Sequence, residues 1–213
     1  MTNFIRIFPL GIIVYPGESL NLHIFEDRYK QLVNECRQEN KPFGIPVVLG
    51  NAMKEMGTLV EITEITEVLP DGSMNIKTKG ISVFRVLEIV RSIPDKLYSG
   101  AIVNHPTNDL VKRQHRMTKV LAGIRELHSL LKVNKDFSKP DKELISYDVA
   151  HHASLSPEQE YELLELLLED QRLEYLKRHL RKVLPLVSGI EALKDRIQLN
   201  GHFKELKGFN LDL

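Results

Sequence analysis

Between Gly57 and Leu69 the alternation of apolar side chains changes phase, and that change restricts the chain to a curved sheet. Val60 and Ile62 fall on one face of an extended strand while Ile65 falls on the other, so uninterrupted pairing would leave one of them in water. A bulge near Thr63 or Glu64 restores a single buried face, and bulges bend the strand that carries them. Pro70-Asp71-Gly72 then supplies a turn, after which Met74, Ile76 and Thr78 alternate with Asn75, Lys77 and Lys79. Gly80 breaks the run, and "ISVFRVLEIV" is apolar on both faces for part of its length, which requires cover on two sides. Upstream, Leu20, Leu22 and Ile24 alternate with polar residues, and "PFGIPVVLG" reads as a short buried strand whose prolines suit an edge or bend. With "YSGAIV" at 98–103 this makes about six strands, two of them bent, a set satisfied more easily by a small closed or half-closed barrel than by a flat sheet.

Helical spacing appears once early and then dominates the second half. Phe25, Tyr29, Leu32, Val33 and Cys36 form an amphipathic stripe that ends before Pro42. Beyond Asn104-His105-Pro106-Thr107, the residues Leu110, Met117, Val120, Leu121, Ile124, Leu127 and Leu131 line one face of a long helix, with Asn108 or Asp109 as N-cap. A polar link leads to a shorter helix around Leu144, Ile145 and Val149. Ser156-Pro157-Glu158-Gln159 then combines an N-cap, a first-turn proline and a capping-box glutamine. Asp170 is expected to cap a last helix bearing Leu173, Leu176, Leu180, Val183 and Leu184, which Pro185 kinks or ends. The expected class is α+β: a β-rich barrel over residues 1–105 with one packed helix, and a helical unit over residues 106–213.

Charge removes several function classes. Lysine plus arginine equals aspartate plus glutamate at 29 each, and each half of the chain lies within one charge of neutral, so no overall field attracts nucleic acid or an anionic membrane. Arg6 followed by "IFPLGIIVYPG" imitates an export signal, but Pro9 and Gly11 interrupt the run, no small-residue cleavage site follows, and charge resumes at Glu18. No segment reaches the roughly 18 apolar residues that a membrane span needs. Cys36 is the only cysteine, which excludes an intrachain disulfide and a thiolate-rich zinc site and suits a reducing cytoplasm.

Phosphate-binding loops, nucleophile elbows and metalloprotease helices each need a glycine or histidine spacing that is missing here, so no catalytic, cofactor-binding or metal-ligating residues are expected. His151 and His152 are adjacent, and neighbouring helical side chains point about 100° apart, a poor arrangement for one metal ion. The basic runs at 112–119 and 177–182 read as solvated helix faces, the second also favoured by the helix dipole. Cys36, on the apolar stripe, reads as packed. Softer candidates for a peptide-binding surface are Tyr15 and Pro16 at the barrel mouth, Phe43, and Met53 and Met56 in the polar loop "GNAMKEMG". Packing against the barrel is the competing reading for all five.

A P-L-x-x-x-V-x-P-G opening (Pro9, Leu10, Val14, Pro16, Gly17), Gly57-Thr58, the turn at 70–72 and Lys79-Gly80 before a strand are spread over residues 5–90, followed by "PEQEYELLELLLEDQRLEYLKRHL". In combination they resemble the N-terminal substrate-binding domain of Lon-type ATP-dependent proteases. The resemblance implies a PUA-like pseudobarrel with a helical bundle behind it, in which the apolar opening is the first barrel strand and Pro16-Gly17 its turn. It also implies a non-catalytic module that binds unfolded or degron-bearing polypeptides. The ATPase and peptidase segments of Lon proteases have no counterpart before Leu213, so a free-standing relative is expected. RNA binding, known for other PUA-like barrels, is the alternative, and self-association through the leucine-rich second half is the further partner expectation.

Overall fold

A hairpin of two 17-residue strands would span roughly 55 Å if straight, more than a domain of this length is wide, so its pairing must bend. The structure, a computed structural model, describes residues 2–202. The chain runs β1 (Thr2–Arg6), β2 (Ser19–Ile24), α1 (Asp27–Glu39), β3 (Phe43–Leu49), β4 (Ala52–Val68), β5 (Met74–Val90) and β6 (Gly100–Asn104). It continues through α2 (Gln114–Leu130), α3 (Ser146–Val149), α4 (Pro157–Glu165) and α5 (Glu169–His202), with single 3-10 turns on either side of α3.

The bend lies where the phase change requires it. Pairing of β4 with β5 shifts register between Leu59 and Val60, between Ile62 and Glu64, and between Ile65 and Glu67. Thr63 is therefore an extra residue, and Val60, Ile62 and Ile65 all pack into one cluster. The hairpin turn is closed by the Leu69 amide on the Ser73 carbonyl at 2.8 Å and by the Asp71 carboxylate, which accepts from the Ser73 amide and hydroxyl. Gly72 takes a φ of 78°, the left-handed conformation that such turns reserve for glycine.

All strand pairs are antiparallel, in the order β1-β6-β5-β4-β3, with β2 alongside the first half of β5. The segment after β1 closes the ring by crossing to β3. The Phe8 amide donates to the Gly44 carbonyl at 2.8 Å, the Leu10 amide to Pro46 at 3.3 Å, and the Val48 amide back to Leu10 at 2.8 Å. The expected first strand is thus displaced: regular pairing covers Thr2–Arg6, and the apolar run from Ile7 to Tyr15 forms two parallel bridges and a buried turn.

The sequence signatures meet at that turn. The Thr58 hydroxyl donates to the Val14 carbonyl, the Glu18 amide donates to Tyr15 at 3.1 Å, and Gly17 and Gly80 exchange contacts with their neighbours across the strand. A Cβ on Gly80 would stand 2.3 Å from the Tyr15 carbonyl oxygen, so only glycine admits the crossing.

Three clusters fill the interior. Tyr29, Leu32, Val33 and Cys36 of α1 lie on Ile24, Phe43, Ile45, Met74 and Ile76. Phe84 packs with Ile7, Ala101 and Val103. The largest cluster spans the change from strand to helix, joining Ile13, Tyr15, Val47, Met56 and Val83 to Met117, Ile124, Leu173, Leu176 and Leu180.

Helix ends differ from the spacing argument in three places. Phe25 is exposed before α1 and stacks on His23 instead of joining the stripe. Helix α2 begins at Gln114, because Asn108 accepts from Arg172 at 2.9 Å and the Asp109 carboxylate already accepts from the Val111 amide. Helix α5 continues through Pro185 to His202; Pro185 and Arg181 are both exposed, so the carbonyl that proline leaves without a donor lies on the solvent side of the helix. The capping box of Ser156 and Gln159 forms as the spacing predicts. Residues 203–213, the last part of the expected helical unit, lie outside the described residues.

Candidate functional site

Antiparallel strands direct successive amides to opposite sides, which determines what β1 offers to a partner. The Ile7 amide donates to Ser99 on the β6 side at 3.1 Å, whereas the Phe8 amide donates to Gly44 on the β3 side. By the same alternation the amides of Thr2, Phe4 and Arg6 point away from β6, and β1 is the terminal strand of the sheet order. Along that edge runs an open groove of about 560 Å³ whose other walls are Lys41, Pro42, Leu59 and His105. Its apolar surface comes from Ile5, Leu59, Pro42 and Phe4, the last 49% exposed and lying flat over Gly100.

Among the described residues no carboxylate lines this groove. Arg6 is anchored behind it, donating to the Tyr98 hydroxyl at 2.9 Å and to Glu39 at 2.5 Å. Burial works against the Glu35 carboxylate, but hydrogen bonds from Lys96 and Tyr98 outweigh it and hold its pKa below the usual value. Lys41 pairs with Glu39 at 2.9 Å, and His105 makes no hydrogen bond or ion pair with the described residues.

A second constellation sits at the junction of barrel and helices. His151 Nδ1 lies 2.7 Å from Glu160 of α4, and its Nε2 lies 3.2 Å from Glu18 of the Tyr15–Glu18 turn. Burial pushes the imidazole pKa down, but the two carboxylates prevail and raise it to about 10, so His151 is an imidazolium at neutral pH. Tyr15 stacks on Tyr147 at 5.0 Å and donates its hydroxyl to the Glu160 carbonyl at 2.9 Å. His152 points elsewhere, against His128 and Phe137, and burial lowers its pKa. Among the described residues no three histidine, cysteine or acidic side chains form a cluster that could hold a metal ion.

None of the five residues singled out for peptide binding is exposed. Tyr15 and Met56 share the barrel–helix cluster, where the Met56 amide donates to the Tyr161 hydroxyl at 3.1 Å. Pro16 is buried beside them. Phe43 lies under α1, tilted against Phe8, and Met53 is half-buried against the Phe84 cluster. Cys36 is packed, its thiol pushed up to about 11 chiefly by burial. The two basic runs meet across α2 and α5 around a cleft of about 290 Å³, where Asp170 takes Arg113 and Arg116 and Glu174 takes Lys177 and Arg178.

Two features escape the sequence patterns. The β1 edge follows from Ile5 and Ile7 alternating with Phe4 and Arg6, a signal only four residues long. The other is Arg172, which is wholly buried. It donates to Ser146 at 2.7 Å, Glu169 at 2.8 Å, Asn108 at 2.9 Å, the Leu166 carbonyl at 2.7 Å and the Asp109 carbonyl, and lies over the Tyr147 ring. Its sequence trace is an acid–base pair at i and i+3 in phase with Leu176.

Comparison with known proteins follows the same geometry. The profile of the family "ATP-dependent protease La (LON) substrate-binding domain" matches residues 5–182. The crystal structure of a Lon N-terminal domain protein from Xanthomonas campestris is similar with a TM-score of 0.64 and 25% identity, covering 82% of this chain and 96% of that one. The N-terminal domain of a Mycobacterium avium complex Lon protease has a TM-score of 0.59 over 84% of this chain and 98% of its own, at 14% identity, a likeness of fold alone. No curated protein matches.

Proposed function

This chain belongs to the ATP-dependent protease La (LON) substrate-binding domain family, and from that premise we propose that it recognises unfolded or degron-bearing polypeptide by binding alone, altering no bond in what it holds. The observation that carries the reading is the groove beside β1, which joins an apolar floor to a strand edge that has no ladder partner among the described residues. Folded proteins bury such features, so a chain that exposes both complements segments exposed only when a client is unfolded.

Affinity for one segment should be modest. Apolar burial contributes about 25 cal/mol per Å², against association costs of about 4–15 kcal/mol. The five buried or half-buried residues Tyr15, Pro16, Phe43, Met53 and Met56 serve this function as the walls that fix the barrel's shape. The cytoplasm is the proposed compartment: no described helix is long and apolar enough to cross a membrane, and the lone thiol is buried.

The test is a pair of titrations at low and physiological salt, one with labelled, reduced and carboxymethylated protein, the other with labelled structured RNA. Binding of the unfolded protein with weak salt dependence is expected. Binding of RNA alone, collapsing as salt rises, would replace this function with nucleic-acid recognition.

A further inference from the structure

We propose that the partner docks on β1 as an added strand. An extended segment pairs its backbone with the outward groups of Thr2, Phe4 and Arg6 and places an apolar side chain on Ile5 and Leu59. This deepens the polypeptide-binding reading above and rests on it.

The chain itself supplies the template. From Phe8 onward the β3 side of this strand is filled, the Phe8 amide donating to Gly44 at 2.8 Å. Upstream of that bond the two walls separate, Lys41 and Pro42 on one side and β1 on the other, and the groove of about 560 Å³ occupies the wedge between them. An added strand continues a pairing that already exists, with the inner end of the wedge setting its position. Exposed edges are normally blunted by a bulge, a proline, a charged side chain pointing inward or a covering loop. On β1 only Arg6 is such a charge, turned toward Tyr98 and Glu39 at the inner end; from Thr2 to Ile5 the strand carries no bulge or proline, and Phe4 stands half in water on it.

The occupant's chemistry follows from the lining. Backbone donors and acceptors at alternate positions match an extended chain and no other common ligand. Arg6 and Lys41 at the groove are already paired with Glu39, so no net charge selects the occupant, which is defined by its extended backbone and by apolar side chains at alternate positions, with polar ones between them facing water.

The probe is a labelled peptide, acetyl-Thr-Val-Glu-Val-Glu-Val-Thr-amide, compared with two doubly N-methylated derivatives that are isomers of each other, one methylated at its first two valines and one at its two glutamates. In an added strand one set of amides faces β1 and the other faces water. One isomer should therefore bind at least tenfold more weakly than the parent while the other binds nearly as well. A protein variant gives the reciprocal test. Phe4→Pro removes an outward amide that the β1–β6 ladder does not use, whereas Phe4→Ala removes the ring and keeps the amide. Phe4→Pro should weaken the parent peptide about tenfold more than Phe4→Ala.

Equal losses for the two isomers, or equal affinities of the two variants, overturn strand addition and leave polypeptide recognition standing at another surface. Failure of the parent peptide where carboxymethylated protein still binds has the same meaning. If neither the peptide nor the unfolded protein binds, the functional reading falls with it.

Discussion

Removing the imidazole that joins the barrel turn to α4 should destabilise the protein in a pH-dependent way with a definite sign. His151 sits between Glu18 and Glu160 at 3.2 and 2.7 Å, with the Tyr15 ring beside it at 4.9 Å and His152 facing away. Its pKa rises from 6.5 to about 10 on folding. A raised folded-state pKa means that the contribution is fully present below about 6.5 and is lost as pH climbs through about 10. Unscreened, that rise corresponds to about 5 kcal/mol, but 39% of the side chain is exposed, and solvent screening leaves ~1–2 kcal/mol. Urea unfolding of the wild type and of His151→Gln at pH 6, 8 and 10.5 measures it. The variant should be less stable by ~1–2 kcal/mol at pH 6, less different at pH 8, and nearly equal at pH 10.5. A difference that is independent of pH, or that grows toward pH 10.5, would refute the clamp.

Other substitutions probe the frame that positions the groove. Arg172→Met leaves the Glu169 carboxylate buried without its counter-charge and should cost ~3–5 kcal/mol in urea unfolding, with the Arg172→Met, Glu169→Leu double variant recovering only part of it because the buried Ser146 amide and hydroxyl then lose their acceptor; a mild single variant would contradict the hub. Gly80→Ala drives a methyl into the Tyr15 carbonyl and should lower stability by ~1–3 kcal/mol, read as a drop in thermal midpoint. Leu186, Ile190 and Leu193 form an exposed stripe on α5, so the wild type is expected to self-associate with concentration in sedimentation velocity and Ile190→Asp to stay monomeric.

Patterns that depend on a local repeat could be read from the residues. The out-of-phase Ile65 required a bulge because an apolar side chain in water is costly, and Thr63 takes that place. The Ser156 cap and the 70–72 turn were legible because their hydrogen bonds close within four residues. What the residues concealed depends on distant partners. Met56 stands in a polar stretch of sequence that reads as a loop with a surface contact, yet it belongs to β4 and is covered by Tyr161, 105 residues away. Phe25 continues the helical spacing of α1 yet precedes its first turn, and spacing alone does not mark that boundary. Asn108 and Asp109 have the chemistry of N-caps, but Arg172 and the Val111 amide claim their oxygens first. The candidate groove was hidden for the same reason, since it exists only because the chain after β1 crosses to β3 and leaves Thr2–Arg6 open on one side.

The most direct measurement is amide hydrogen exchange, resolved by residue, on the protein alone and saturated with reduced, carboxymethylated polypeptide. Slowed exchange at Phe4 and Arg6, with Leu59 and His105 shifted and the α2–α5 cleft unchanged, is the predicted result. Protection confined to the helices, or none anywhere at saturation, would contradict the groove as the site of recognition.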